Sequence, residues 1–480
     1  MILALDVGTS STRAAAFDDT GAPLPARSHR IPVRPALTPD GGVEHDPRRL
    51  FEAVVACLDG VLHGRPAGEV DAVGVATFWH GLLGFDADGR PLTPIYLWAD
   101  TRSAPDAALL REALDEAALH ARTGCPLHAS FWPAKLRWLA REHPDTLRRV
   151  ARWGSFGEYL ELELFGEAAT SVSMASATGL FDQARLRWDP EALAAAELDE
   201  RALFPLCDRQ AARRGLRPRW ATRWPALRGA AWFPAVGDGA ANNVGAGCTD
   251  PTRVALTVGT SAALRIMRPE AGPPPPGLWC YRLDRRQALL GGALAEGGNV
   301  WTWCLEVLRL PAGESLERAL AARTPDDHRL TVLPFLAGER APGWRADRRA
   351  VIAGLGLDTT ALDILAAALE AVALRVALVY ERLAPHAAPG HAVVASGGAL
   401  QRSRAWTRMM ADALGRPLVV PAVEEATSRG VALLALDALG RLPGLGACAP
   451  PVAETILPDA ARHARYRAAL ARQRRLEQQV

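Results

Sequence analysis

Residues 5–13 read LDVGTSSTR and residues 256–265 read LTVGTSAALR. A glycine-hydroxyl turn is thus written twice, with Asp6 of the first copy replaced by Thr257 in the second. Around the first copy, ILALDV, the GTSS turn, TRAAAF, a DDTGAPL turn and ARSHRIPV predict an antiparallel meander. Around the second, TRVALTVGTSAALRIM again reads strand, turn, strand, and GLWCYRLDRRQALLGGAL supplies further strands. A motif that opens each half is the mark of an internal duplication. Since 480 residues exceed what one core usually organises, the expected architecture is α/β, two similar domains facing each other across a cleft.

Outward from the turns, helical spacing with an early proline runs from Asp46 to Leu62, and residues 71–78 form a buried strand. Helices are predicted over residues 104–123 and 134–150, around Val300 to Leu310, and over 361–383, 402–414 and 428–439. Strands are expected over 391–400 and 417–422. The region from Glu191 to Pro234, rich in Arg, Trp and Pro and poor in periodicity, reads as a surface subregion leading to the junction.

The composition is that of a soluble globular enzyme, with 49% apolar and 22% charged residues and a mean hydropathy of 0.00. The net charge of +2 argues against a nucleic-acid partner. Lys135 is the single lysine, so 54 of the 55 basic residues are arginine, a bias expected of a GC-rich genome. The seven cysteines are scattered and never form a CxxC pair, which suggests neither a disulfide framework nor a zinc site and fits a reducing cytoplasm. The apolar start ILALDV is too short for a secretion signal. The segment 361–383 carries Asp363, Glu370, Arg375, Glu381 and Arg382, so it reads as an amphipathic helix and no membrane association is expected.

A glycine turn with several hydroxyls can aim backbone N–H and Ser/Thr O–H groups at an anion, Gly8 and Gly259 letting the backbone approach closely. Neither the lysine-bearing phosphate loop nor the dinucleotide fingerprint occurs, and both turns lead into strands rather than helices. Two such clamps on a triphosphate need one acidic group for the metal's water shell, and a second carboxylate would repel the phosphates. Asp6 therefore takes the metal side, and Thr257 is expected to donate a hydrogen bond to phosphate.

These turns, together with WADTRS at 98–103, GDGAANNVGAG at 237–247, GERAP at 338–342 and SGGAL at 396–400, resemble the FGGY family of carbohydrate kinases over nearly the whole chain. The resemblance implies two ribonuclease-H-like (actin-like ATPase) domains with a cleft between them: residues 1–237 mainly sugar-binding and 238–480 mainly ATP-binding. It implies ATP and Mg²⁺ as cofactors, with Asp6 on the metal through water. Thr9, Ser10, Ser11, Arg13, Thr257, Gly259, Thr260, Gly397 and Gly398 would face ATP.

Asp238 is the expected catalytic base, because phosphorylating an alcohol needs a group that accepts its proton. Flanked by Gly237 and Gly239 at the junction, it fits the cleft floor; an ordinary Asp in a glycine turn is the bland alternative. By resemblance Trp79, His80 and Trp98 are, with Asp238, the expected sugar contacts, His80 through hydrogen bonds to hydroxyls. Asp100 and Arg102 are expected to pair and shape a loop. Glu339 and Arg340 belong either near the cleft mouth or to a surface salt bridge. Lys135 matches a recurrent lysine of the family or stands by chance at a helix start, and Gly430 fits a hinge.

The texture of PLTPIYLWADTRS, LPFLAGERAPGWRADRRAVIAGL and RMMADALG is similar to the gluconokinase branch, whereas the Trp79-His80-Gly81 triplet leans toward xylulose kinases. Phosphorylation of gluconate is the first expectation, xylulose or another ketose or polyol the second, and a non-catalytic sugar sensor of the same fold the third. The expected partners are a small-molecule sugar or sugar acid and a second copy of the chain in a homodimer.

Overall fold

The computed structural model describes residues 1–480. Ile2–Val7 pairs antiparallel with Ser11–Phe17 and parallel with Ala72–Thr77. Pro23–Pro32 extends the sheet on one side; Ala231–Trp232 and Val236–Gly237 line up against Ala72–Thr77 on the other. The second half repeats this scheme. Arg253–Val258 pairs antiparallel with Ala262–Arg268 and parallel with Ala392–Ser396. Its sheet runs on through Ala288–Ala293 and Trp279–Arg282 at one end and through Leu418–Pro421 and Val452–Ile456 at the other. The duplication written in the turns is therefore a duplication of sheet topology.

Sequence patterning explains the layers. Every residue of the strand Ala72–Thr77 is buried, as its unbroken apolar run requires of a strand covered on both faces. The helix Ala361–Leu383, closed at its start by a Thr360/Asp363 capping box, is buried along most of its length against the second sheet. The predicted helices over 104–123 and 134–150 are each split in two. Asp115 caps a new helix in the first, and Pro144, which cannot continue the hydrogen-bond ladder, restarts the second. No helix is long and apolar enough to cross a membrane.

The two halves share one continuous hydrophobic core. The helix Ala426–Ala438, late in the sequence, crosses back to pack on the first sheet, where Val431 lies against Gly74. Beneath it runs the helix Asp238–Gly245, and the two cross at glycines. A Cβ on Gly430 would lie 1.8 Å from the Ala241 carbonyl oxygen, and one on Gly245 would lie 1.7 Å from that of Ala426. Backbone-to-backbone contact of this closeness is open to glycine alone.

Candidate active site

The two glycine turns face each other across a cavity of about 440 Å³. The first hairpin contributes Asp6, Gly8, Thr9, Ser10, Ser11 and Arg13, and the second Thr257, Gly259, Thr260 and Ser261. Gly397, Gly398, Asp238 and Trp98 complete the lining. All the sequence-predicted ATP-facing residues thus line one cavity. Space is open at the glycines that need it: a Cβ on Gly259 would meet nothing within 4 Å, and one on Gly398 only the tip of Arg402 at 3.8 Å. Gly397, at φ +99°, runs so close to Val258 that a side chain there would strike its backbone.

The hairpins differ by one residue. Val7 faces Thr12 across the first turn, leaving Gly8 to Ser11 as the loop; Val258 faces Ala262, leaving only Gly259 to Ser261. Arg13 consequently lies directly opposite Asp6, whereas Arg265 lies opposite Ala255, two places away from Thr257 along the strand.

Asp6 is surrounded by charges: Asp238 on one side, Arg13 and Arg30 on the other. Loss of solvent, and then the Asp238 carboxylate, push its pKa up to about 7. Asp238 opens its helix and accepts a 2.7 Å hydrogen bond from the N–H of Gly239; burial raises its pKa against the opposing pull of Arg265. No cluster of three metal-ligating side chains gathers here, and a single carboxylate such as Asp6 is a donor that Mg²⁺ takes up when waters and phosphate oxygens supply the rest.

The flanking glycines of Asp238 have a direct cause. A Cβ on Gly237 would lie 1.8 Å from the Trp79 indole, and one on Gly239 would strike both Trp79 and the Arg265 guanidinium. Trp79 is thus a plate beneath the Asp238 backbone, its Nε1 donating to the Ser173 carbonyl at 3.0 Å.

Three expectations need correction. Trp79 and His80 do not line the cavity: both are buried behind it. His80 Nδ1 lies 2.7 Å from the Ala177 carbonyl and so carries the proton, leaving Nε2 to accept from Arg340 at 3.2 Å. Burial and the adjacent Arg340 hold this imidazole well below its usual pKa, and both ring nitrogens are engaged within the protein. Thr257 does not hold its proton ready for phosphate: its hydroxyl donates to Asn242 Oδ1 at 2.6 Å and accepts from Arg265 Nη1 at 3.3 Å. Glu339 and Arg340 form no surface pair: both are buried, Glu339 bonding Arg375 and Arg348 while Arg340 turns to His80.

Trp98 lies at the cavity wall with the Arg340 guanidinium 5.2 Å from its ring centre. Arg102 does pair with Asp100, and also with Glu44, beside the Trp138 ring. Lys135 is wholly buried, donating to the carbonyls of His80 at 3.0 Å and Tyr96 at 3.2 Å. It thereby fastens a segment whose His80 backbone sits at φ +68°, a conformation seldom adopted outside glycine. Burial lowers its pKa to about 7.

Sequence reasoning missed Arg30, Asn242 and Arg265. Strand pairing brings Arg30 opposite Arg13, and the Asp238 helix brings Asn242 to Thr257. Arg265 alone carried a signal, as the basic end of the second repeat.

A model of the FGGY family of carbohydrate kinases, N-terminal domain, matches residues 1–245, and one of its C-terminal domain matches residues 254–439. A gluconokinase from Bacillus subtilis (strain 168) is 28% identical over 95% of this chain and 90% of its own. A gluconate kinase from Lactobacillus acidophilus superposes with a TM-score of 0.89 at 24% identity, covering 99% of this chain and 97% of the other. A ligand-bound xylulose kinase from the same organism gives the same TM-score, identity and coverage.

Proposed function

The chain belongs to the FGGY family of carbohydrate kinases, and from that premise we propose that it transfers the γ-phosphoryl group of ATP to a terminal hydroxyl of an open-chain sugar acid, gluconate first. The observation that carries this reading is the cavity itself, two facing glycine-hydroxyl hairpins with Asp6 and Asp238 between them. The gluconokinase relative supports the choice of sugar acid.

In this reading Asp238 accepts the proton of the sugar hydroxyl as its oxygen bonds to the γ-phosphorus and the bond to the β-phosphate oxygen breaks. Its raised pKa brings the base toward the operating pH, where proton transfer is most effective. The backbone N–H groups and hydroxyls of Thr9, Ser10, Ser11 and Thr260, with Gly259 and Arg13, hold the phosphates. Gly397 and Gly398 give the bare backbone against which the nucleoside side lies. Asp6 would hold Mg²⁺ through water, and the ion, when bound, would supply neutralisation of phosphoryl oxygens. Arg265 faces the same oxygens from beside Asp238, and Thr257, its hydroxyl tied to Asn242, sets no charge against them. Trp98 gives the sugar an apolar wall, while Trp79, His80 and Lys135 fix the floor from behind. Residues 1–237 mainly hold the sugar and 238–480 the nucleotide, with the helix Ala426–Ala438 coupling one to the other.

The test is sugar-dependent ADP release with Mg-ATP over gluconate, xylulose, ribulose, glycerol and erythritol, for wild type and Asp238→Asn. A gluconate signal that falls by about 10²- to 10⁴-fold in the variant is the expected outcome. A signal on xylulose alone favours the ketose kinase that the second Lactobacillus relative suggests. Silence on every sugar despite nucleotide binding favours a sensor, and full activity in the variant removes Asp238 as base.

A further inference from the structure

Four arginines are buried in this chain: Arg209, Arg282, Arg340 and Arg375. A buried guanidinium needs anions or carbonyls around it, because its uncompensated charge is costly out of water. Arg209 has Asp284 and Asp437; Arg375 has Glu339 and Glu477. Arg282 has the carbonyls of Gln183, Asp284 and Arg285. Arg340 has none of these. Its one hydrogen bond runs from Nη2 to Nε2 of the neutral His80, and its Nε is buried with no partner at all.

Its location is equally specific. The guanidinium lies between the rings of Trp98 and Trp344, 5.2 and 5.6 Å from their centres. Trp98 is shared by the nucleotide cavity and an adjoining cavity of about 600 Å³, which is lined also by Leu336, Ala337 and Gly338, just ahead of Arg340 in the chain. Two further buried polar atoms without partners belong to residues that feel the charge of Arg340, the Tyr281 hydroxyl and Glu296 Oε1. These are unmet donors and acceptors of the kind a polyhydroxylated ligand completes.

We propose that Arg340 anchors the carboxylate of the acceptor sugar acid, at the end of the substrate remote from the hydroxyl that faces Asp238. This rests on the kinase reading above and deepens it by assigning the residue that distinguishes an acid from a neutral sugar. The planar fork of a guanidinium matches a carboxylate through two parallel hydrogen bonds, and the flanking indoles exclude water from the pair. The acids that act on Arg340 from a distance, Glu296 and Asp238, form neither an ion pair nor a hydrogen bond with it. A neutral ketose would leave the cation unpaired, and a sugar acid completes it. The neutral His80, both nitrogens engaged, orients the fork.

The test uses the full chain with Mg-ATP, and gluconate, its uncharged counterpart gluconamide, and xylulose as acceptors, for wild type, Arg340→Gln and Arg340→Lys. Wild type should prefer gluconate to gluconamide by at least about 100-fold in kcat/KM. Arg340→Gln should raise the gluconate KM by about 100-fold, change the gluconamide KM little and leave the ATP KM within about twofold. Arg340→Lys, which keeps the charge and loses the fork, should fall between and guards against a Gln variant that does not fold. Equal losses on gluconate and gluconamide, or no wild-type preference between them, would overturn the assignment while leaving the kinase reading intact. A raised ATP KM would transfer the guanidinium to a phosphate. Absence of turnover on every sugar would remove the kinase reading itself.

Discussion

The two hairpins share their lettering, their position in equivalent sheets and their place beside the cavity, yet they present opposite electrostatics. The first offers the carboxylate of Asp6 with Arg13 directly across the strand pair. The second offers an uncharged hydroxyl, Thr257, tied into Asn242, Ser396 and Arg265. One deleted loop residue accounts for part of this: it shifts the pairing by one place, and one more residue between Thr257 and Arg265 than between Asp6 and Arg13 carries the second arginine a further place away. A duplicated turn can therefore keep its backbone donors while the two copies divide the charges that a phosphoryl transfer site needs.

The comparison breaks most severely if the copies are made alike. Thr257→Asp gives the second hairpin a carboxylate of its own and captures Arg265, so the KM for ATP should rise by about 10- to 100-fold with the sugar KM little changed. Initial rates at varied ATP settle it, and an unchanged KM would mean the nucleotide does not feel this position.

Asp6→Asn sharpens the contrast from the other side. Asp6 titrates near 7 when folded and near its ordinary 3.8 when unfolded, so the folded chain keeps a proton that the unfolded chain releases as pH rises from about 4 to about 7. Stability falls across that window. The Asn variant should thus gain about 2 kcal/mol at pH 8, after allowance for solvent screening, and nothing at pH 4, while losing catalysis. Thermal melts at the two pH values test the sign; an Asn variant no more stable at pH 8 refutes it. The same shifts place the acid limb of kcat/KM above the ordinary carboxylate range, activity falling as pH drops through the raised values of Asp6 and Asp238.

The smallest effect belongs to Glu425, which pairs with Arg13 from just ahead of the helix Ala426–Ala438 and is half exposed. Glu425→Gln should change stability by less than about 1 kcal/mol. It should also improve the ATP KM slightly, by freeing Arg13; a worsened KM would mean the pair itself positions the nucleotide.

The fold was legible because a hairpin sequence repeats at the head of each half, because Ala72–Thr77 is a short buried run, and because Ala361–Leu383 spaces its charges along an apolar helix. The cavity was legible wherever a glycine or hydroxyl had to stand at a turn, so Thr9, Ser10, Gly259, Gly397 and Asp238 meet as expected. Side-chain direction was not legible. His80 and Trp79 follow a strand that ends at the cavity, but a left-handed residue and a packed indole turn them behind it. Arg340 was hidden among many arginines, since only burial and the absence of an acid partner single it out, and neither is written locally.

Lys135 carries one last consequence. As the single lysine of the chain, 1% exposed, it leaves no ε-amino group at the surface. Reagents that acylate amines reach it only when the helix Trp132–Glu142 parts from the carbonyls of His80 and Tyr96. The molecule therefore contains its own chemical clock: the rate at which one amine is labelled reads how often the floor of the sugar-binding half breathes open, and a bound sugar should slow it.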